Sequence, residues 1–148
     1  SSLSALQQFP IGTLKIDQSF VRNAAGDPVG STRFFRMDPL IPSLELGYTW
    51  YSQRVQRTAL NTEAKRLLLG HAFDAMGCSV VELRTHVFNQ RSRQAIERLG
   101  AHFDGILRRQ MRMADGHLRD TAVYSILDNE WPTIRRHLDF KLEHGVAP

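Results

Sequence analysis

The 148-residue sequence has a single cysteine, and no hydrophobic run in it approaches the roughly 18 residues that a transmembrane helix requires. One cysteine excludes an internal disulfide, and Cys78, which precedes an apolar stretch, fits a small buried side chain. The first residues contain no basic segment followed by an apolar one, so no signal peptide is expected. These absences predict a cytoplasmic protein that has no membrane partner.

Metal-ligand spacing and internal repeats are also missing. The six histidines are scattered along the chain, so no metal site is expected. The net charge is +4, and arginines are concentrated between residues 91 and 112. A basic surface of this kind suits nucleic acid or the phosphates of a nucleotide cofactor. Because no aromatic residues alternate with the arginines, a platform for single-stranded nucleic acid is not expected.

The periodicity of apolar residues predicts an α/β protein with a mixed, mostly antiparallel sheet and flanking helices. Strands are predicted at Thr13–Val21, Gly30–Met37, Leu44–Tyr51, Val80–Thr85, Ile106–Met113 and Leu118–Leu127. Helices are predicted from Leu60 to Ala75, at Ser92–Leu99 and at Thr133–His144. Gly77 and Gly100 stand where helix C-terminal caps belong. The first two strands are expected to form a hairpin.

The junction between the third strand and the first long helix is the most informative part of this pattern. A helix N-terminus presents unpaired N–H groups and a partial positive charge, so it is a natural seat for a pyrophosphate. The residues alone also fit an ordinary strand-to-helix connection in which Thr58 or Asn61 caps the helix. Both interpretations stay open on the residues alone.

Several segments in a fixed order resemble the Gcn5-related N-acetyltransferases, above all the branch that modifies ribosomal-protein N-termini. The strand SLELGYTW at Ser43–Trp50 resembles the central strand of that family. The loop RVQRTA at Arg54–Ala59 resembles its pyrophosphate loop, with Arg57 where glycine is usual. Further matches occur at Asn61–Lys65, Asn89–Ala101, Asp104–Arg108, Asp115–Thr121 and Glu130–Pro132. The ordered set covers the chain from Pro28 to Pro132.

The resemblance implies that acetyl-CoA binds in a V-shaped gap between the strands at Leu44 and Val80. Backbone groups at Tyr48, Thr49 and Trp50 would then hold the pantetheine arm of coenzyme A. The other cofactor-binding residues that the resemblance implies lie in the loop and at the starts of the two helices: Arg54, Arg57, Thr58, Ala59, Asn61 and Asn89.

The same resemblance implies two catalytic residues. Many family members carry a tyrosine as general acid on the second helix, but Ile96 occupies the matching position and cannot donate a proton. Ser92 is the remaining candidate acid, and Glu45 is the candidate base that acts on an amine directly or through water. Ser92 also fits a helix cap, and Glu45 also fits a carboxylate at a strand edge with no catalytic role.

Residues 1–22 resemble a different family, the EAL-type cyclic-di-GMP phosphodiesterases, around their Leu-Lys-Ile-Asp strand. Lys15 matches an active-site lysine there, but the metal-binding carboxylates and the barrel of that family are absent. The expected organisation is therefore a chimera with an EAL-derived segment at 1–22, an acetyltransferase-like domain at 23–132 and a C-terminal helix at 133–148. The domain would lack the family's first strand and helices. Because that leaves a sheet edge uncovered, a homodimer through the N-terminal segment is expected.

The leading function is therefore the transfer of an acetyl group from acetyl-CoA to a primary amine whose identity is left open. One alternative is a non-catalytic remnant that folds and binds coenzyme A without turnover. A further alternative is a basic module that binds the ribosome or RNA. The resemblance favours the enzyme.

Overall fold

A six-stranded sheet forms the centre of the computed structural model, which describes the backbone of residues 18–22, 28–51 and 59–145 and the side chains of residues 34, 36–47 and 59–145. The strands are β1 (Gln18–Arg22), β2 (Pro28–Asp38), β3 (Ser43–Tyr51), β4 (Val80–His86), β5 (His102–Arg112) and β6 (Leu118–Leu127). The helices are α1 (Leu60–Gly70), α2 (Gln90–Arg98) and α3 (Trp131–His144). In the order β1-β2-β3-β4-β6-β5, only β3 and β4 are parallel. The predicted mixed, mostly antiparallel sheet is confirmed.

Most predicted elements are present, although several begin at a different residue. The hairpin of the first two strands is confirmed, because Gln18 pairs with Arg33 and Val21 pairs with Gly30. Residues 13–17 of the predicted first strand lie outside the described residues. Strand β5 begins at His102, four residues before the predicted start, because a bulge between Phe103 and Gly105 interrupts its alternation.

One hydrophobic core lies between the sheet and the three helices. It takes residues from β2, β3, β4, β6 and every described helix, among them Phe34, Leu44, Leu46, Leu69, Val81, Leu83, Ile96, Leu99, Tyr124, Ile126, Trp131, Ile134 and Leu138. Full burial of such a side chain stabilises the fold by roughly 1.5–3 kcal/mol relative to exposure. Since α3 contributes to this same core, it is packed on the domain. The division of the chain at residues 22 and 132 stays a prediction.

The first helix covers the predicted range, Leu60 to Ala75, but its last turn is not α-helical. It continues past Gly70 as a π-helical turn, His71–Ala75, in which the Met76 N–H donates to the His71 carbonyl. Gly77 has φ +69°, the left-handed conformation predicted for the helix end. Cys78 follows and is buried, as predicted. None of the described helices is long and apolar enough to cross a membrane.

The parallel pair β3–β4 is the feature of the sheet that matters most for function. Its partners are Ser43 with Val80, Leu44 with Val81 and Glu45 with Glu82, and pairing ends there. Both strands nevertheless continue, β3 to Tyr51 and β4 to His86. The two strands are therefore joined at one end and unpaired with each other beyond Glu45, an arrangement that we call the fork.

Two irregularities in the β2–β3 pair bend the strands beside the fork. On β3, the residues Tyr48 and Thr49 stand opposite the single residue Thr32, because Ser31 pairs with Trp50 and Arg33 pairs with Gly47. Such a bulge disrupts the ladder locally and turns the strand. The second irregularity lies on β2 between Phe35 and Asp38. It includes Arg36, whose φ of 52° is uncommon for a residue with a side chain.

Candidate active site

Glu45 is the last residue of β3 that pairs with β4, so its carboxylate lies at the base of the fork. Its neighbours Leu44 and Leu46 belong to the hydrophobic core, and side chains alternate along a strand. The Glu45 side chain therefore leaves the sheet on the face opposite the helices. It is only 5% exposed. A buried carboxylate at the point where two strands separate is a feature that packing alone does not require.

Two arginines surround the Glu45 carboxylate. The Nε of Arg36 lies 3.2 Å from Oε2, and the Nε of Arg84 lies 4.0 Å from the same oxygen. The bulge in β2 is what turns Arg36 toward Glu45. Although the Arg36 distance is short, its N–H does not point at the oxygen, and Oε2 accepts no hydrogen bond. Glu45 therefore has charge partners while one of its oxygens stays available to accept a proton.

The surroundings of Glu45 change its acidity in opposing ways. Burial raises the pKa of the Glu45 carboxyl, while Arg36 and then Arg84 oppose that rise. The net result is a pKa above the ordinary value of 4.5. A raised pKa makes a carboxylate a stronger base, so this site is better suited to take a proton from an amine than an exposed glutamate is.

Glu82 is the direct neighbour of Glu45 across the fork, on the same face of the sheet. Its Oε1 accepts a hydrogen bond of 3.0 Å from the Nε of Arg84. Arg84 therefore holds Glu82 firmly and reaches Glu45 only at longer range. The two carboxylates differ in consequence, because Glu82 is satisfied by a hydrogen bond and Glu45 is not.

The N-terminus of α1 follows β3 and is the predicted seat of a pyrophosphate. Ala59 is the residue that precedes the helix, and no described side chain makes a capping hydrogen bond there. The expectation that Asn61 caps this helix is wrong, because the helix begins at Leu60 and Asn61 is already its second residue. The Asn61 Oδ1 is buried and accepts no hydrogen bond. The alternative cap, Thr58, and the predicted pyrophosphate residues Arg54 and Arg57 lie outside the described residues.

The start of α2 places Asn89 and Ser92 together. Asn89 precedes the helix, and its Oδ1 accepts the Ser92 N–H at 3.1 Å, which makes Asn89 the helix cap. The alternative interpretation of Ser92 as the cap is wrong, because the helix begins two residues before it, at Gln90. Within residues 59–145 the Ser92 hydroxyl makes no hydrogen bond. That hydroxyl is therefore available to an external group.

The structure does not place Glu45 and Ser92 side by side. Glu45 is level with Glu82, and β4 continues for four residues to His86, about 13 Å further along the strand. Helix α2 packs on the core face through Ile96, whereas the Glu45 side chain lies on the other face. The resemblance implies that Tyr48, Thr49 and Trp50 hold the pantetheine arm. The backbone of these three residues forms the bulged arm of the fork.

A network of hydrogen bonds between α2 and β6 was not predicted from the sequence. The Tyr124 hydroxyl donates to Glu97 Oε1 at 2.8 Å and accepts from Arg93 Nε at 3.0 Å. Tyr124 is fully buried, and burial raises the pKa of its hydroxyl. The only available signal was the four-residue spacing of Arg93 and Glu97, which places them on one side of a helix. Nothing in the sequence connects them to a tyrosine on β6.

Comparison with known proteins agrees with this geometry. Residues 9–102 match the family model described as an acetyltransferase (GNAT) domain. The Bacillus subtilis (strain 168) protein described as "Putative ribosomal N-acetyltransferase YdaF" is 28% identical over 106 residues, which are 72% of this chain and 57% of that protein. The chain therefore spans little more than half the length of that relative.

Solved structures share the fold. A GCN5-related N-acetyltransferase from Brucella melitensis is 34% identical with a TM-score of 0.81, over 84% of this chain and 57% of that chain. The spermidine/spermine N-acetyltransferase SpeG from Vibrio cholerae has a TM-score of 0.72 over 83% of this chain and 71% of that chain. Its identity is 16%, so it shows the fold alone. Since the family model covers well over half of the residues, the chain belongs to the GNAT acetyltransferase family.

Proposed function

We propose that this chain transfers an acetyl group from acetyl-CoA to a primary amine. The observation that carries the proposal is the fork, with its bulged β3 arm and a buried carboxylate at its base. A gap between two parallel strands that end their pairing early can hold an extended, polar chain such as the pantetheine arm. Acetyl-CoA, when bound, supplies a thioester as the acyl donor.

The start of α1 suits the pyrophosphate of the cofactor. Helix α1 follows β3 along the chain, and Ala59 before it makes no side-chain capping bond; a helix N-terminus presents backbone N–H groups that have no acceptor within the helix itself. Together with their partial positive charge, these groups suit a pyrophosphate. The residues that would hold the cofactor are Tyr48, Thr49, Trp50, Arg54, Arg57, Thr58, Ala59, Asn61 and Asn89.

Glu45 is the proposed base. It accepts a proton from the amine, directly or through water, as the amine nitrogen forms a bond to the thioester carbonyl carbon. The carbon–sulfur bond then breaks, and the sulfur takes a proton to leave as the thiol of coenzyme A. Ser92 is the proposed donor of that proton. Because Glu45 and Ser92 are not adjacent, the proposal assigns them to separate proton transfers.

We also propose an amine acceptor, an oligomeric state and an origin for the N-terminal segment. A peptide N-terminus is one candidate acceptor, because the Bacillus subtilis relative is described as a ribosomal N-acetyltransferase. A cytoplasmic homodimer that contacts its partner through residues 1–22 stays a prediction, as does an EAL-derived origin for that segment. The family match already begins at residue 9, inside the segment.

Two variants test the proposed function, and each of them replaces one carboxylate of the fork with an amide. Thiol release from acetyl-CoA with a panel of primary amines and peptides should fall roughly 10²–10⁴-fold in Glu45→Gln, the loss expected for a missing base. The matched control, Glu82→Gln, makes the same chemical change one strand away, where Arg84 already satisfies the carboxylate. It should retain most of the activity.

Binding is measured separately by calorimetry with acetyl-CoA. Wild type and Glu45→Gln should both bind, since the proposed cofactor contacts do not include the Glu45 carboxylate. Binding without turnover of any amine would favour a non-catalytic remnant over an enzyme. Absence of binding at millimolar acetyl-CoA would contradict the proposed function altogether.

A further inference from the structure

The turn between β4 and α2, residues Val87 to Asn89, is held by side chains that the proposed reaction does not use. The Val87 N–H donates to the Asp120 carbonyl of β6 at 3.0 Å. The Val87 carbonyl accepts from Nη1 of Arg93 at 3.1 Å. Both backbone groups of one turn residue are therefore fixed, one by the sheet and one by the helix. Two residues further on, Asn89 caps the helix and orients the Ser92 N–H.

Arg93 is itself held in place by the sheet. Its Nε donates to the Tyr124 hydroxyl at 3.0 Å, and its guanidinium lies 5.3 Å from the centre of the Phe103 ring. Arg93 and Glu97 are four residues apart on α2, a spacing at which opposite charges normally pair directly. Here the Tyr124 hydroxyl stands between them, because it donates to Glu97 while it accepts from Arg93. The tyrosine thus fixes the orientation of the guanidinium that holds the turn.

This arrangement is more specific than packing requires. Tyr124 is completely buried on the core side of β6, where a phenylalanine would fill the same space. A buried hydroxyl that is fully hydrogen-bonded contributes one defined orientation to the groups around it. Two hydrogen bonds connect the sheet to the turn, from Arg93 Nε to the Tyr124 hydroxyl at 3.0 Å and from Arg93 Nη1 to the Val87 carbonyl at 3.1 Å.

We propose that Arg93 and Tyr124 are positioning residues for the cofactor, which act by holding the turn that carries Asn89. This inference rests on the proposed function, in which Asn89 and the first turn of α2 contact the cofactor. Neither residue touches the reacting atoms in this assignment. Their effect is to keep the turn in its binding conformation before the cofactor arrives, which reduces the ordering that binding must otherwise supply.

The experiment compares two variants with a matched control from elsewhere in the fold. Tyr124→Phe removes only the hydroxyl, and Arg93→Lys keeps the charge but cannot donate to Tyr124 and Val87 in the same planar geometry. The control is Arg66→Lys, because Arg66 also donates through Nε to a partner, Asp139 at 2.7 Å, and also lies over an aromatic ring, that of Trp131 at 5.5 Å. Arg66 joins α1 to α3 and makes no contact with the turn among the described residues.

Two measurements are made on each protein. Amide hydrogen exchange of Val87 and Ser92 should become about tenfold faster in Tyr124→Phe and Arg93→Lys and stay unchanged in Arg66→Lys, since each lost hydrogen bond costs about one factor of ten. The dissociation constant for acetyl-CoA should rise about tenfold in the first two variants only. A loss of thermal stability shared by all three variants would not make amide exchange faster and acetyl-CoA binding weaker in only two of them.

The outcomes separate the inference from the function on which it rests. If wild type binds acetyl-CoA and the two variants bind it equally well, Arg93 and Tyr124 are not positioning residues. The same conclusion follows if amide exchange at the turn is unaffected. If wild type does not bind acetyl-CoA, the proposed function fails, and this inference fails with it.

Discussion

The two sides of strand β4 are built differently. Toward β6, all seven residues from Val80 to His86 have a partner, from Leu127 to Thr121. Toward β3, only three residues are paired, and the strands then separate. One side of the strand is a continuous ladder inside the core, while the other opens into the fork. The same strand therefore supports the fold on one edge and leaves room for a ligand on the other.

The difference extends to the kinds of polar group that are buried. The buried polar residues of β4 and β6 are Thr85, Thr121 and Ser125, all of them neutral. The buried charged residues among the described side chains are Glu45 on β3 and Lys65 on α1, the helix that follows β3. Burying a charge is costly, so proteins retain such groups where they are needed for more than packing. Among the described residues of these strands, the sheet therefore buries a charged side chain on β3, at the base of the fork, and only neutral polar side chains on β4 and β6.

The largest effect is expected from Lys65, the buried charge of α1. Burial lowers the pKa of its ammonium group to about 7, against an ordinary value of 10.5. Between these pH values the unfolded chain holds a proton that the folded chain releases, so stability should rise with pH from about 7 to about 10.5 and be lowest below 7. The change is at most on the order of 5 kcal/mol. Denaturant unfolding at a series of pH values measures it.

Lys65→Met should flatten this dependence, because methionine carries no charge at any pH. Lys141→Met is the control, since that lysine is partly exposed and its pKa is lowered mainly by milder burial. A wild-type stability that does not change between pH 7 and 10 would show that Lys65 is not buried as described.

A core deletion on the β6 side should affect stability and not the fork. Ile126 is fully buried and pairs with Val81, so Ile126→Ala should lower the free energy of unfolding by about 2–5 kcal/mol through lost burial and a cavity. Leu127→Ala, one residue further on but 42% exposed, should change it by less than about 0.5 kcal/mol. Urea unfolding compares the two variants. If the two substitutions lowered the free energy of unfolding equally, the buried side chain of Ile126 would stabilise the fold no more than the exposed side chain of Leu127.

The smallest effect is expected at the cap of α2. Asn89→Ala removes the acceptor of the Ser92 N–H and should destabilise the protein by about 1 kcal/mol, whereas Asn89→Ser, which keeps a capping oxygen, should cost much less. Thermal unfolding of both variants is the measurement. If Asn89→Ala were as stable as wild type, the hydrogen bond from the Ser92 N–H to Asn89 would contribute nothing to the stability of the fold.

Local patterns anticipated most of the fold. The strands from β2 to β6 and the three helices were predicted, and so were the glycines at residues 77 and 100 that follow two of the helices. These features depend on side-chain periodicity and on the conformational freedom of glycine, which act over a few residues and can be read from the chain. Helix ends were less accurate, and Asn61 and Ser92 were misjudged as candidate caps because capping depends on which residue begins the helix.

Only part of the candidate site could be predicted from the sequence. Glu45 was singled out by resemblance, but neither its burial nor the two arginines beside it could be read from the sequence, because Arg36 and Arg84 come from other strands. The contact between Tyr124, Arg93 and Glu97 likewise joins β6 to α2. Contacts of this kind depend on strand register, and a bulge of one residue changes which side chains meet.

The sequence by itself determined the order of strands and helices, the apolar faces that form the core, and the motifs that resemble acetyltransferases. Only the tertiary structure decided where β3 and β4 part, that Glu45 lies buried at that point, and which side chains hold the start of α2. The physical reason is the range of the interactions. Periodicity and turn preferences act between near neighbours, whereas the fork and its charges are produced by strands brought together from distant parts of the chain.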